Sequence, residues 1–220
     1  WLKHYTSDSV TIEDESDETS LIAVQGPNSR KKLEEIFQFN LGDLKFYACK
    51  KINYADSDIF VARTGYTGEL GFEILGNSNI INKMWERMID SGINPSGLAA
   101  RDVLRIEMGY CLYGHEIDES RNAIDAGLSW ILDKKSDFIG KKMIFDENKQ
   151  KEKIIFFKML ERGIPREGCE IFCNDKKAGY VTSGTFSYLL NTGLGIAYMD
   201  RAIHEYNNST VMIRDKEYKI

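Results

Sequence analysis

One stretch constrains this chain more than any other: Val61-Ala62-Arg63-Thr64-Gly65-Tyr66-Thr67-Gly68-Glu69-Leu70-Gly71-Phe72-Glu73-Ile74-Leu75. Ile59 to Ala62 reads as one strand and Gly71 to Leu75 as the next. Between them the chain must reverse, and glycine allows the positive φ angles that tight reversals use. The two-residue period of a strand puts Phe72 and Ile74 on one face and Glu73 and Leu75 on the other. The Glu73 carboxylate therefore faces either water or a polar pocket. Residue pattern alone favours an exposed glutamate on an edge strand, because charged side chains are mostly exposed.

The 220 residues suffice for one large domain or two small ones, and a hydrophobic content of 42% supplies a real core. A net charge of −5 leaves no basic footprint for nucleic acid. No apolar run approaches the roughly 18 residues of a membrane span, and no secretory signal is visible. A chain that begins at Trp1 rather than Met is expected to be a processed form or a piece of a longer protein. Cys49, Cys111, Cys169 and Cys173 form no CxxC pair. On one strand, Cys169 and Cys173 would stand about 13 Å apart, too far for a disulfide or a shared metal without a bend. Reduced thiols of an intracellular compartment are the expectation. His4, His115 and His204 lack metal-ligand spacing, so no metal site is expected.

Residues 8 to 14 alternate around Val10 and Ile12 and read as a strand, followed by an acidic loop. Leu21 to Val24 is a short apolar strand, and a helix should start near Pro27 to Ser29, with Leu33, Ile36 and Phe37 as its stripe. Lys45 to Ile52 reads as a further strand. Asn77 and Ser78 offer a cap for a second helix, whose stripe is Ile80, Ile81, Met84, Trp85, Met88 and Ile89 and whose stop is Gly92. Ser96 can cap a third helix that runs to about Met108. Arg101 and Arg105 lie one turn apart on it, with Asp102 and Glu107 available to neutralise them. His115, Glu116, Asp118 and Glu119 cluster in a segment without periodicity. They fit an acid–base site or, more simply, a polar loop. Ala126 to Leu132 reads as a strand and Phe138 to Glu147 as a short helix.

A charged connector, Asn148 to Lys153, then changes the character of the chain. Short runs follow at Ile154–Met159, Glu170–Phe172, Gly179–Ser183, Leu194–Met199 and Thr210–Ile213, with turn signals at Arg162-Gly163, Asn174-Asp175 and Asn207-Asn208. That spacing predicts a small all-β barrel or sandwich. The expected division is an α+β region over residues 1–147 and a β domain over residues 148–220.

Three separated stretches resemble the aminomethyltransferase, or T-protein, family of the glycine cleavage system. They are Ala62-Arg63-Thr64-Gly65-Tyr66-Thr67-Gly68-Glu69 with Gly71-Phe72-Glu73; Gly97-Leu98-Ala99-Ala100-Arg101-Asp102-Val103-Leu104-Arg105-Ile106-Glu107 with Tyr113-Gly114 and Ile117-Asp118-Glu119; and Gly179-Tyr180-Val181-Thr182-Ser183-Gly184-Thr185-Phe186-Ser187. Leu21 to Pro27 and Gly163-Ile164-Pro165-Arg166 also fit, and the order holds along nearly the whole chain.

The resemblance implies a fold and an activity. The fold is a three-domain cloverleaf around a folate cavity, of which this chain carries part of the α+β folate-binding domains and the C-terminal β barrel. The activity is transfer of a one-carbon unit from the aminomethyl-lipoyl arm of the H-protein to tetrahydrofolate, with release of ammonia and without a metal. On the family's pattern Glu73 is the pterin-binding glutamate, and Tyr66, Arg101 and Tyr110 line the folate cavity. A carboxylate can accept the paired N–H groups of a pterin edge, an aromatic ring can pack on its face, and a guanidinium can bind its acceptors. The family's catalytic aspartate lies upstream of the point matched by Trp1, and the family also continues beyond Ile220. No catalytic residue is therefore expected within these residues, and this piece alone is expected to be inactive. The implied location is the cytoplasm of a bacterium or the mitochondrial matrix of a eukaryote. Alternative readings are a folate-dependent demethylase, the folate module of a dimethylglycine or sarcosine oxidase, a truncated inactive paralogue, or a non-catalytic folate-binding protein. The last kind carries a cysteine-bearing glycine-rich signature not found in this sequence.

Overall fold

A computed structural model describes residues 1–146, 151–203 and 208–220. The chain forms two compact units, residues 1–97 and residues 98–220. The composition boundary near residue 148 lies outside the described residues, as do Asn207 of the last turn signal and His204.

The first unit opens with a short helix, α1 (Leu2–Tyr5). Four antiparallel strands follow: β1 (Thr19–Gln25), β2 (Cys49–Tyr54), β3 (Ser57–Ala62) and β4 (Gly71–Asn77), arranged in the order β1-β4-β3-β2. Alternation places Ile22, Val24, Ile59, Val61, Phe72 and Ile74 in the core. There they meet Leu33, Ile36 and Phe37 of α2 (Ser29–Phe37) and Ile81, Met84 and Met88 of α3 (Ser78–Asp90). The cap read from sequence forms: the Asn77 side chain accepts from Asn79 N at 3.0 Å. The stripe of α3 is narrower than its composition, since Trp85 is 45% exposed. Residues 8 to 14 form no strand. Val10 is exposed and no ladder partner lies beside the segment, so alternation there has nothing to pair with.

The second unit begins with α4 (Leu98–Glu107) and contains a six-stranded antiparallel sheet. Its strands are β5 (Glu152–Lys158), β6 (Glu170–Cys173), β7 (Lys176–Ser187), β8 (Thr192–Asp200), β9 (Ser209–Ile213) and β10 (Lys216–Lys219), in the order β10-β9-β6-β7-β8-β5. Just past β5, Leu160 N donates to Lys219 O of β10 at 2.9 Å, joining the two ends of the sheet in the manner of a barrel. Asn174 and Asp175 take the left-handed conformation, φ 50° and 62°, that a two-residue hairpin turn requires.

Two further readings are corrected. Ala126 to Leu132 is a turn followed by a 3-10 helix at Ser129–Ile131, not a strand. Local bonds hold it: Asn122 Oδ1 accepts from Ile124 N at 2.8 Å and Asp125 N at 3.2 Å, and Leu128 N donates back to Ala123 O at 2.7 Å. Of the helix expected over Phe138 to Glu147, the described residues form α5 (Lys141–Ile144), entered through Gly140 at φ 89°, while Glu147 lies outside them.

Candidate functional site

In the first unit the glycine-rich turn is built around one side chain. Gln25, at the end of β1, sends its amide into the turn, where Nε2 donates to Thr64 O at 3.2 Å and Phe72 O at 3.4 Å. Thr67 Oγ1 donates to Gln25 Oε1 at 3.1 Å. Gly65 and Gly71 lie so close to this amide that a Cβ on either would overlap it. Here glycine is required for close approach, and only Gly68, at φ 77°, is needed for its backbone conformation.

The turn places Glu73 on β4, an interior strand between β1 and β3 rather than at the edge. Its cross-strand partners are Ala23 on β1 and Ala62 on β3. Both are too small to wall off the carboxylate, which is half-buried and accepts one hydrogen bond from Thr64 Oγ1 at 2.5 Å. One hydroxyl orients this carboxylate and leaves it acceptor capacity. Tyr66 is half-buried in the same turn.

In the second unit Arg101 and Arg105 share a helix face but not an environment. Arg101 is exposed, whereas Arg105, one turn later, packs where α4 meets β7 and is 2% exposed. Its Nε donates to Asp102 Oδ1 at 2.8 Å, Nη1 to Glu116 Oε2 at 3.0 Å and to Tyr110 O at 3.3 Å, and Nη2 to Ser183 Oγ at 2.7 Å. Glu116 is fully buried and also accepts from Leu112 N at 2.9 Å and Thr182 Oγ1 at 2.6 Å. A bulge in β7 between Val181 and Ser183 breaks the alternation of the strand. It turns the consecutive hydroxyls of Thr182 and Ser183 onto the same ion pair.

The acid–base reading of the 115–119 segment therefore does not survive for Glu116, whose fully buried carboxylate is committed to three internal donors. Asp118 instead closes a surface turn, accepting from Ser120 N and Oγ and pairing with Arg121 at 3.1 Å. Cys111 is no nucleophile either: burial, followed by the charge of Glu116, pushes its thiol up to about 11, so it stays protonated at neutral pH. Burial likewise raises the Tyr198 phenol, which donates to Glu116 O at 2.7 Å. Among the described residues no group of three or more His, Cys, Asp or Glu is placed to hold a metal ion, and no helix is long and apolar enough to cross a membrane.

Of the residues singled out from sequence, Glu73 and Tyr66 belong to the first unit and Arg101 and Tyr110 to the second. The Arg105–Glu116 pair went unread because its members are eleven residues apart and outside any periodicity. One signal pointed to it: Gly184 directly follows the strand-like run Gly179–Ser183, and a glycine within a strand often marks a bulge.

Comparison with known proteins identifies the family. The family model described as the GCVT N-terminal domain matches residues 1–136, and the glycine cleavage T-protein C-terminal barrel domain matches residues 153–220. The chain is 38% identical to an aminomethyltransferase of Halothermothrix orenii, covering 98% of this chain and 63% of that protein. It is 37% identical to one from Thermosipho melanesiensis, covering 100% of this chain and 61% of that protein. The chain thus spans about three fifths of the length of the curated relatives it matches. Its fold superposes on the crystal structure of glycine cleavage system aminomethyltransferase T from Bartonella henselae with a TM-score of 0.82 and 31% identity, over 91% of this chain and 57% of that one. With both domain models matched in order, the chain belongs to the glycine cleavage T-protein family.

Proposed function

We propose that the intact protein is a tetrahydrofolate-dependent aminomethyltransferase of the glycine cleavage system. It takes a one-carbon unit from the aminomethyl-lipoyl arm of the H-protein and passes it to tetrahydrofolate, releasing ammonia. It works in the cytoplasm of a bacterium or the mitochondrial matrix of a eukaryote. Glu73 recognises the pterin edge by accepting its paired N–H groups, and Tyr66, Arg101 and Tyr110 contribute to the folate cavity. The protein's part in the reaction is positioning: it holds the pterin and aims the N5 amine at the aminomethyl carbon. No nucleophilic side chain is needed for that chemistry, and the protonated Cys111 offers none.

The observation that carries this reading is the state of Glu73. A half-buried carboxylate on an interior strand, flanked by two alanines and held by a single hydroxyl, has capacity left for a ligand. Hydrogen bonds to a charged group contribute about 1.5–3 kcal/mol each, so Glu73→Ala in the intact protein should weaken tetrahydrofolate binding by at least about tenfold. Titration of the folded variant with tetrahydrofolate measures this, and an unchanged Kd would remove Glu73 from the site. A turnover assay with lipoylated H-protein separates the transferase from a protein that only binds folate.

A further inference from the structure

We propose that Arg105 is a positioning residue for folate binding, acting through Tyr110. The inference rests on the reading above that Tyr110 contributes to the folate cavity.

Helix α4 ends in a Schellman motif. Gly109, at φ 68°, sends its N–H to Ile106 O at 3.0 Å, and Tyr110 N donates to Arg105 O at 2.8 Å. That motif fixes the peptide group before Tyr110. The peptide group after it is held from the same residue, because Arg105 Nη1 donates to Tyr110 O at 3.3 Å. Arg105 thus holds both peptide groups of Tyr110, one with its carbonyl and one with its guanidinium.

The guanidinium is itself buried and bonded on several sides. It is anchored to Ser183 on the β7 bulge and to Glu116, and Glu116 is tied to Thr182 and to Leu112 N. Tyr198 of β8 grips the Glu116 carbonyl. The segment from Tyr110 to Glu116 therefore wraps a closed set of charge-assisted bonds fixed to the sheet. A planar fork with five donors can serve four acceptors at once, which an ammonium on a flexible stem cannot do in the same geometry. Helix capping alone needs only the backbone carbonyl of residue 105. The side-chain bond to Tyr110 O is an additional constraint, and it falls on the one residue of this segment assigned to the folate cavity.

A double-mutant cycle in the intact protein tests this, with tetrahydrofolate Kd by titration and urea midpoints as readouts. Arg105→Lys should raise Kd about tenfold when Tyr110 is present and leave it within about twofold in a Tyr110→Ala background. An equal rise in both backgrounds would mean that Arg105 serves stability alone, and the proposal fails. A Tyr110→Ala protein that binds tetrahydrofolate as tightly as wild type overturns the folate role of Tyr110 and the proposal with it. Failure of the wild type to bind tetrahydrofolate would instead overturn the function proposed above. If Arg105→Lys does not fold, Ser183→Ala takes its place in the cycle, since it releases only Nη2. A rise of about threefold that disappears with Tyr110→Ala supports the proposal, and a rise that persists overturns it.

Discussion

Two glutamates in this molecule meet opposite treatment. Glu116 is fully buried, and its carboxylate accepts from three internal donors: Arg105, Leu112 N and Thr182. Glu73 lies on an interior strand yet is only half-buried, with Thr64 as the protein partner of its side chain among the described residues. A fully buried carboxylate committed to three donors belongs to the architecture, and a half-buried one committed to a single donor has spare capacity for a ligand. Chemical type does not separate the two, whereas the number of donors already committed to each does.

Breaking the buried pair should have the largest effect. Glu116→Leu leaves the buried Arg105 guanidinium with the partly exposed Asp102 carboxylate as its remaining ion-pair partner among the described residues, and should destabilise the second unit by about 3–5 kcal/mol, read from its urea transition. By contrast, Glu73→Ala should change the stability of the first unit by less than about 1 kcal/mol while costing folate affinity. Comparable stability losses for the two substitutions would erase the distinction drawn between them.

The support beneath Glu73 is tested by Gly71→Ala. The added methyl meets the Gln25 amide, which must leave Thr64 O and Phe72 O. A cost of about 1–3 kcal/mol is expected in thermal or denaturant unfolding. Restoring stability by adding Gln25→Ala would show that the amide is the obstacle.

The smallest effect concerns the turn at Asp118. The hydroxyl and N–H of Ser120, aided by the charge of Arg121, hold the Asp118 carboxyl below its ordinary value. A depressed folded value means that its stabilisation is present above the unfolded value of about 3.9 and fades as pH falls through the folded one. Ser120→Ala should move the Asp118 titration, followed by carboxyl-carbon NMR, back toward the ordinary value. An unmoved titration would assign the shift to the Ser120 N–H, which the substitution retains, and to Arg121.

Much of the fold could be read from local pattern. The Asn77 cap, the stripe of α2, the β3–turn–β4 unit and the five short runs of the C-terminal sheet all emerged where period and turn chemistry agree with tertiary need. Two of the readings that failed did so for different reasons. Around Val10 the alternation was real but found no partner strand, and in Ala126 to Leu132 the side chain of Asn122 captured the backbone before any ladder could.

The sequence by itself determined that Glu73 faces away from the core, because a strand has a period of two and Phe72 and Ile74 must be buried. It also determined the family, through ordered motifs. Only the tertiary structure decided that β4 is interior, that Arg101 and Arg105 part company one turn from each other, and that Arg105 closes on Glu116, Tyr110 and a bulged pair of hydroxyls. Those outcomes depend on which strand lies beside which and on how many donors reach a buried charge. Neither quantity has a period along the chain.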